Sequence, residues 1–148
     1  MRLSELLRSG RLRSHRTSAG EIGQLLKLAQ RGLADARVQA ISTDLRFCAA
    51  YEAPLQLATV PLACVGYRPA GVGHHATVFQ ALPLAMGKEF AAMSVCYEAC
   101  RVKRNIAAYR RAGEIMASEV EELIESVEQF SEQVREWLRA NHPGLAGK

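Results

Sequence analysis

The sequence predicts an all-α protein, a compact bundle of about five helices. Three observations predict it. Apolar residues recur at helical spacing almost throughout, two Ser-x-x-Glu capping boxes open runs of that spacing, and strand signals are absent. The chain has 148 residues, 49% of them hydrophobic and 23% charged, which are globular proportions for one domain with a real core. No apolar run reaches the roughly 18 residues that span a bilayer, so no membrane partner is expected.

Residues 1–17, rich in Arg and Ser, read as a basic, frayed N-terminal arm. They lack the apolar stretch and small-residue cleavage site of a secretory leader, and Glu5 argues against a transit peptide. The bundle is expected over 18–141. Its first helix opens at the Ser18/Glu21 box and carries Ile22, Leu25, Leu26, Ala29 and Leu33 on one face. A second helix starts at Ser42-Thr43-Asp44 and could run to Gly66. Pro54 and Pro61 each delete a backbone donor inside it, so it either kinks or forms two pieces. Residues 66–73, GYRPAGVG, are a loop.

A third, shorter helix covers about 74–86 and stops near Gly87. The fourth runs from about Lys88 to Arg111 and is ended by Gly113. In the fifth, a Ser118/Glu121 box precedes one apolar stripe from Val120 through Leu123, Ile124, Val127, Phe130 and Val134 to Trp137 and Leu138. Asn141-His142-Pro143-Gly144 ends it, leaving 142–148 as a tail.

The formal net charge of +4 hides a sharper distribution. Residues 101–111, RVKRNIAAYRR, hold Arg101, Lys103, Arg104, Arg110 and Arg111 with no acid. Residues 114–136 hold eight glutamates and a single Arg135. At 100° per residue, Val95, Ala99, Val102, Ile106 and Tyr109 share one arc of the fourth helix and are expected to face the core. Arg104, Arg101, Arg111 and Tyr97 lie nearly opposite, a face that is expected to line a groove. Solvation, with pairing to the glutamates of the next helix, is the plain alternative.

Other residues weigh less. Cys48, Cys64, Cys96 and Cys100 sit in apolar segments and read as buried thiols of a reducing cytoplasm. Cys96 and Cys100 share a helix face but lack zinc-ligand spacing with any His, so no metal or other cofactor is expected. Trp137 reads as structural, and Tyr67 and Arg68 as exposed loop residues that could edge a pocket. His142 sits in a helix-ending turn. His74-His75 is a cap or surface pair, or a source of imidazole for a neighbouring site.

The pattern R-x-x-R-N-x-x-x-Y, formed by Arg101, Arg104, Asn105 and Tyr109, resembles a helix of the HEPN domain (higher eukaryotes and prokaryotes nucleotide-binding). YEAPLQLA in the second helix, GVGHH before the short ATVFQALPLAMG helix and the terminal REWL agree in order and spacing, over about residues 18–140. The resemblance implies a homodimer with a basic cleft between subunits. It also implies kinship to metal-independent RNases of toxin–antitoxin and defence systems, with a nucleotidyltransferase-like or antitoxin protein as partner. The family's usual signature is an Arg and a polar residue followed by a His four to six positions after the Arg. Arg104-Asn105 fits the first half, but Tyr109 stands where His is expected.

The departure matters because the ribose 2′-hydroxyl attacks the adjacent phosphate in such enzymes. Histidine titrates near neutrality and tyrosine only near pH 10. Arg104 can still hold phosphate and Tyr109 can stack or donate, so binding is expected to survive better than catalysis. The expected catalytic set is Arg104, Asn105 and Tyr109, and the nucleotide- or RNA-binding set is Arg101, Arg104, Arg111, His74 and His75. The expected function is nucleotide or single-stranded RNA binding by an altered or inactive RNase relative. The alternatives are a protein-interaction module and an active RNase with a non-standard site.

Overall fold

A computed structural model describes residues 1–147, so Lys148 at the end of the expected tail lies outside the described residues. Six helices pack as an all-α bundle: α1 (Leu3–Arg8), α2 (Ala19–Ala36), α3 (Thr43–Cys64), α4 (His74–Met86), α5 (Ala91–Tyr109) and α6 (Ala117–Asn141). Two three-residue strands, β1 (Leu12–Ser14) and β2 (Tyr67–Pro69), form a small antiparallel ribbon. No helix among the described residues is long and apolar enough to cross a membrane.

Serine caps explain the starts of α2 and α3. Ser18 Oγ accepts the Glu21 N–H at 3.2 Å, and Ser42 Oγ accepts the Leu45 N–H at 3.1 Å. The Glu21 carboxylate, however, takes the Thr17 hydroxyl at 2.8 Å and His15 Nε2 at 2.7 Å. These two bonds hold it below the usual carboxylate range. α6 begins earlier than its Ser118/Glu121 pattern suggests. Met116 is the N-cap, and its N–H is accepted by Glu119 Oε1 at 3.0 Å.

α3 is the hub, mostly buried from Phe47 to Ala63 and packed against α2, α4, α5 and α6. It runs unbroken through Pro54 and Pro61. Each proline leaves one carbonyl a turn earlier without its helical donor, but tertiary packing of a largely buried helix offsets that loss. α2 approaches α3 closely at Gly32, where an added Cβ would meet the Ala49 carbonyl oxygen at 2.9 Å. One turn further on, at the C-terminal end of α2, buried Arg46 donates Nε to the Ala36 carbonyl at 2.7 Å and an Nη to Glu121 at 2.8 Å, joining α2, α3 and α6.

Two expectations need correction. The N-terminal segment is not frayed: Leu6 of α1 and Leu12 of β1 are fully buried, and the ribbon ties the segment to the chain that follows α3. That pairing joins residues more than 50 positions apart, which local periodicity does not register. The fourth helix is also shorter than 88–111. Gly87, at φ 130°, sets off a 3₁₀ turn over Lys88–Phe90, and α5 closes at Tyr109 when the N–H groups of Arg110 and Arg111 both turn to the Ile106 carbonyl.

Candidate functional site

α5 carries the basic segment, and its orientation is the reverse of the expected one. Tyr97 is the residue of α5 that is fully buried, while Val95 is 72% and Val102 48% exposed. Tyr97 stacks between Phe79, at 5.9 Å between ring centroids, and Phe130, at 5.4 Å, and its hydroxyl lies 3.1 Å from Ser126 Oγ. An aromatic ring removes more apolar area than a valine, and here it has two rings to pack against. The grouping of Tyr97 with Arg101 and Arg104 on one arc is as expected. It is this arc, not Val95–Tyr109, that turns toward the bundle.

Inward rotation carries Arg101 and Arg104 to a polar cluster where α3, α4 and α5 meet. Arg101 Nε lies 3.0 Å from both carboxylate oxygens of Glu98, and one Nη is 2.6 Å from Oε1. Arg104 reaches Glu52 of α3 at 3.5 Å. On its other side it donates Nη1 to Asn105 Oδ1 at 3.3 Å and to the Tyr109 hydroxyl at 3.4 Å. Its guanidinium carbon lies 5.5 Å from the centroid of the Tyr109 ring, an arrangement that favours cation–π attraction.

His75 enters from the first turn of α4, its ring centroid 6.3 Å from that of Tyr51. Burial, and then the neighbouring His74, lower its pKa from the ordinary histidine value, and the arginines push the same way. At neutral pH it is therefore an uncharged imidazole. Tyr51 is fully buried, and burial raises its pKa. Its hydroxyl and Arg104 Nε are both buried without a hydrogen-bond partner. A buried polar group left unmatched costs roughly 1–3 kcal/mol, and neither of these two atoms is open to solvent.

The structure thus gathers Arg101, Arg104, Asn105, Tyr109 and His75, and leaves out two residues of the expected set. Arg111 lies beyond the end of α5 and pairs with Glu114 at 3.3 Å. His74 faces away toward the ribbon, lining a concavity with Arg13 and Arg68. Nor is the cluster a simple basic cleft, because Glu98 and Glu52 offset Arg101 and Arg104. Lys103 is likewise paired, with Glu119 of α6.

Tyr51, Glu52 and Glu98 are the residues that sequence reasoning missed. Glu98 was legible three residues before Arg101 on the same helix. Tyr51-Glu52 had a fainter signal, a polar pair inside an alanine-rich helix. Cys96 and Cys100 line a cleft between α5 and α6 with Phe47, Glu119 and Ser126, where no histidine joins them.

The outward arc of α5 has a different character. Ala99, Val102, Ile106 and Ala107 with Ile115 edge an apolar hollow of about 240 Å³, rimmed by Lys103, Arg111 and Glu114. No family model, curated protein or solved structure matches the chain.

Proposed function

We propose that the protein is a HEPN-like domain that binds a nucleotide or single-stranded RNA at a homodimer groove, as a catalytically altered or inactive relative of metal-independent RNases. One observation carries this reading. Arg104 lies near enough to His75 and Tyr51 for its charge to act on both, and its own Nε, like the Tyr51 hydroxyl, has no partner. An outward swing of the Arg104 side chain would let a phosphate oxygen satisfy Nε and a nucleotide hydroxyl or base edge satisfy Tyr51. Tyr109, 74% exposed, offers a ring for a base to stack on. The exposed Val95–Val102 arc, on the opposite side of α5, supplies an apolar face for a second copy.

The departure from the RNase signature persists at Tyr109, while neutral His75 supplies an imidazole from another helix. His75 could accept a proton from a ribose 2′-hydroxyl with Arg104 holding the phosphate, the basis of an RNase with a non-standard site. The same apolar arc favours the second reading, an interaction module that docks an antitoxin-like or nucleotidyltransferase-like protein in the cytoplasm. The deciding experiment is RNA binding at low salt by the purified protein, followed by RNA cleavage in EDTA. Absence of binding removes the leading reading; cleavage abolished by both Arg104→Ala and His75→Ala establishes the active form.

A further inference from the structure

The ribbon raises a separate electrostatic question. In its register Arg13 stands directly opposite Arg68. Flanking bonds from the His15 N–H to the Gly66 carbonyl and from the Ala70 N–H to the Arg11 carbonyl make this a hydrogen-bonded pair. The two α-carbons of such a pair are about 5.5 Å apart and their side chains leave the same face. Like charges so placed repel and destabilise a ribbon. Among the described residues neither arginine forms an ion pair, whereas Arg101, Lys103, Arg104 and Arg111 each have a carboxylate. The compensating charge for Arg13 and Arg68 is therefore missing from the fold.

The two arginines also border a place for it. With Pro69, Ala70, Gly71 and His74 they line an open concavity of about 450 Å³. His74 connects this concavity to the Arg104 cluster, since its ring centroid is 4.7 Å from that of His75. One helical turn thus presents one imidazole to each site.

We infer that the Arg13–Arg68 ribbon is a second phosphate-binding subsite, gripping the backbone of a nucleic-acid strand whose other end lies at Arg104 and His75. The inference rests on the reading of the Arg104 cluster and narrows it: the ligand is a single strand of several nucleotides and not a mononucleotide. The phosphates neutralise the opposed arginines, and His74 marks the path between the two grips. Because both arginines are exposed on a ribbon whose other face holds the buried Leu12, their truncation leaves the core intact.

The test crosses two variants with two ligands. Wild type, Arg104→Ala and the double variant Arg13→Ser/Arg68→Ser are titrated with uridine 5′-monophosphate and with a uridine oligomer of about eight nucleotides, within the usual range of single-strand sites. The double variant should bind the oligomer roughly tenfold more weakly and bind the monophosphate unchanged. Its log–log salt slope should fall by about 1.4, two contacts at about 0.7 each. Thermal melting at or above the wild-type midpoint verifies that the variant is folded. Wild-type oligomer affinity and slope in the double variant overturn the inference and leave the Arg104 reading standing. Oligomer binding that depends on the ribbon but is indifferent to Arg104→Ala does the converse. A wild-type protein that binds neither ligand overturns both.

Discussion

Arg104 holds its guanidinium carbon 5.5 Å from the centre of the Tyr109 ring, five residues further along α5, while the same group reaches back to Glu52 on α3. The pair straddles the edge of the bundle, with the cation partly buried and the ring in solvent. Such a geometry leaves the outer ring face open to a base, while the inner guanidinium edge is buried and lacks a partner at Nε. Arg104→Ala should therefore weaken RNA binding by about 1–3 kcal/mol. Tyr109→Phe should retain most affinity and Tyr109→Ala should lose about 1–3 kcal/mol if the ring is a stacking platform. Fluorescence anisotropy at several salt concentrations measures both; equal loss in Phe and Ala would assign the role to the hydroxyl.

The orientation of α5 makes a pair of opposite forecasts. Tyr97→Ala should destabilise the fold by about 3–5 kcal/mol, the cost of emptying a core aromatic site. Tyr97→Phe should cost only about 1 kcal/mol, the contact with Ser126. Val102→Glu lies on the exposed arc and should change monomer stability by less than about 0.5 kcal/mol. It should nevertheless shift a dimer to monomer in light scattering, if that arc is where two copies meet. Severe unfolding by Val102→Glu would contradict the inward placement of Tyr97.

Arg46 and Glu121 form an ion pair with unequal halves: Arg46 is buried and Glu121 is largely exposed. Arg46→Ala strips the Ala36 carbonyl of its donor and empties the packed stem, and should cost about 2 kcal/mol. Glu121→Ala only frees a solvated position and should cost less than about 1 kcal/mol. Urea denaturation midpoints of the two variants check the asymmetry.

His75 gives the pH dependence its sign. Its pKa is lowered in the folded state, so below the ordinary histidine value the unfolded chain takes up the proton first. Stability from this group is full above about pH 6.5, and it falls as the pH drops from there through the lowered folded value. His75→Gln should flatten the fall in urea midpoint across that window. An unchanged profile would place the responsible group elsewhere.

Much of this architecture was legible along the chain. The Ser18 and Ser42 caps, the α6 stripe from Val120 to Leu138 and the shared arc of Tyr97, Arg101 and Arg104 all follow from local chemistry. Each depends on residues within one or two turns, where backbone geometry sets the angles between side chains. The direction in which an arc faces is another matter. α5 offers an apolar arc, Val95 to Tyr109, and a mixed arc that carries Tyr97 at mid-helix. Phe79 and Phe130, from two other helices, decide in favour of Tyr97.

The site depended on the same long-range choice. Once Tyr97 turned inward, Arg104 had to follow. Its long stem carried the charge past the core edge to Glu52 and the neighbourhood of His75. No periodicity along one helix announces that meeting, because its members come from α3, α4 and α5. The Arg13–Arg68 pairing was hidden for the same reason, since register between distant strands is set by the surface they cover. By itself the sequence determined the five long helices, the Ser18 and Ser42 caps and which residues travel together; the tertiary packing decided which face is buried, because only neighbouring shapes break that tie.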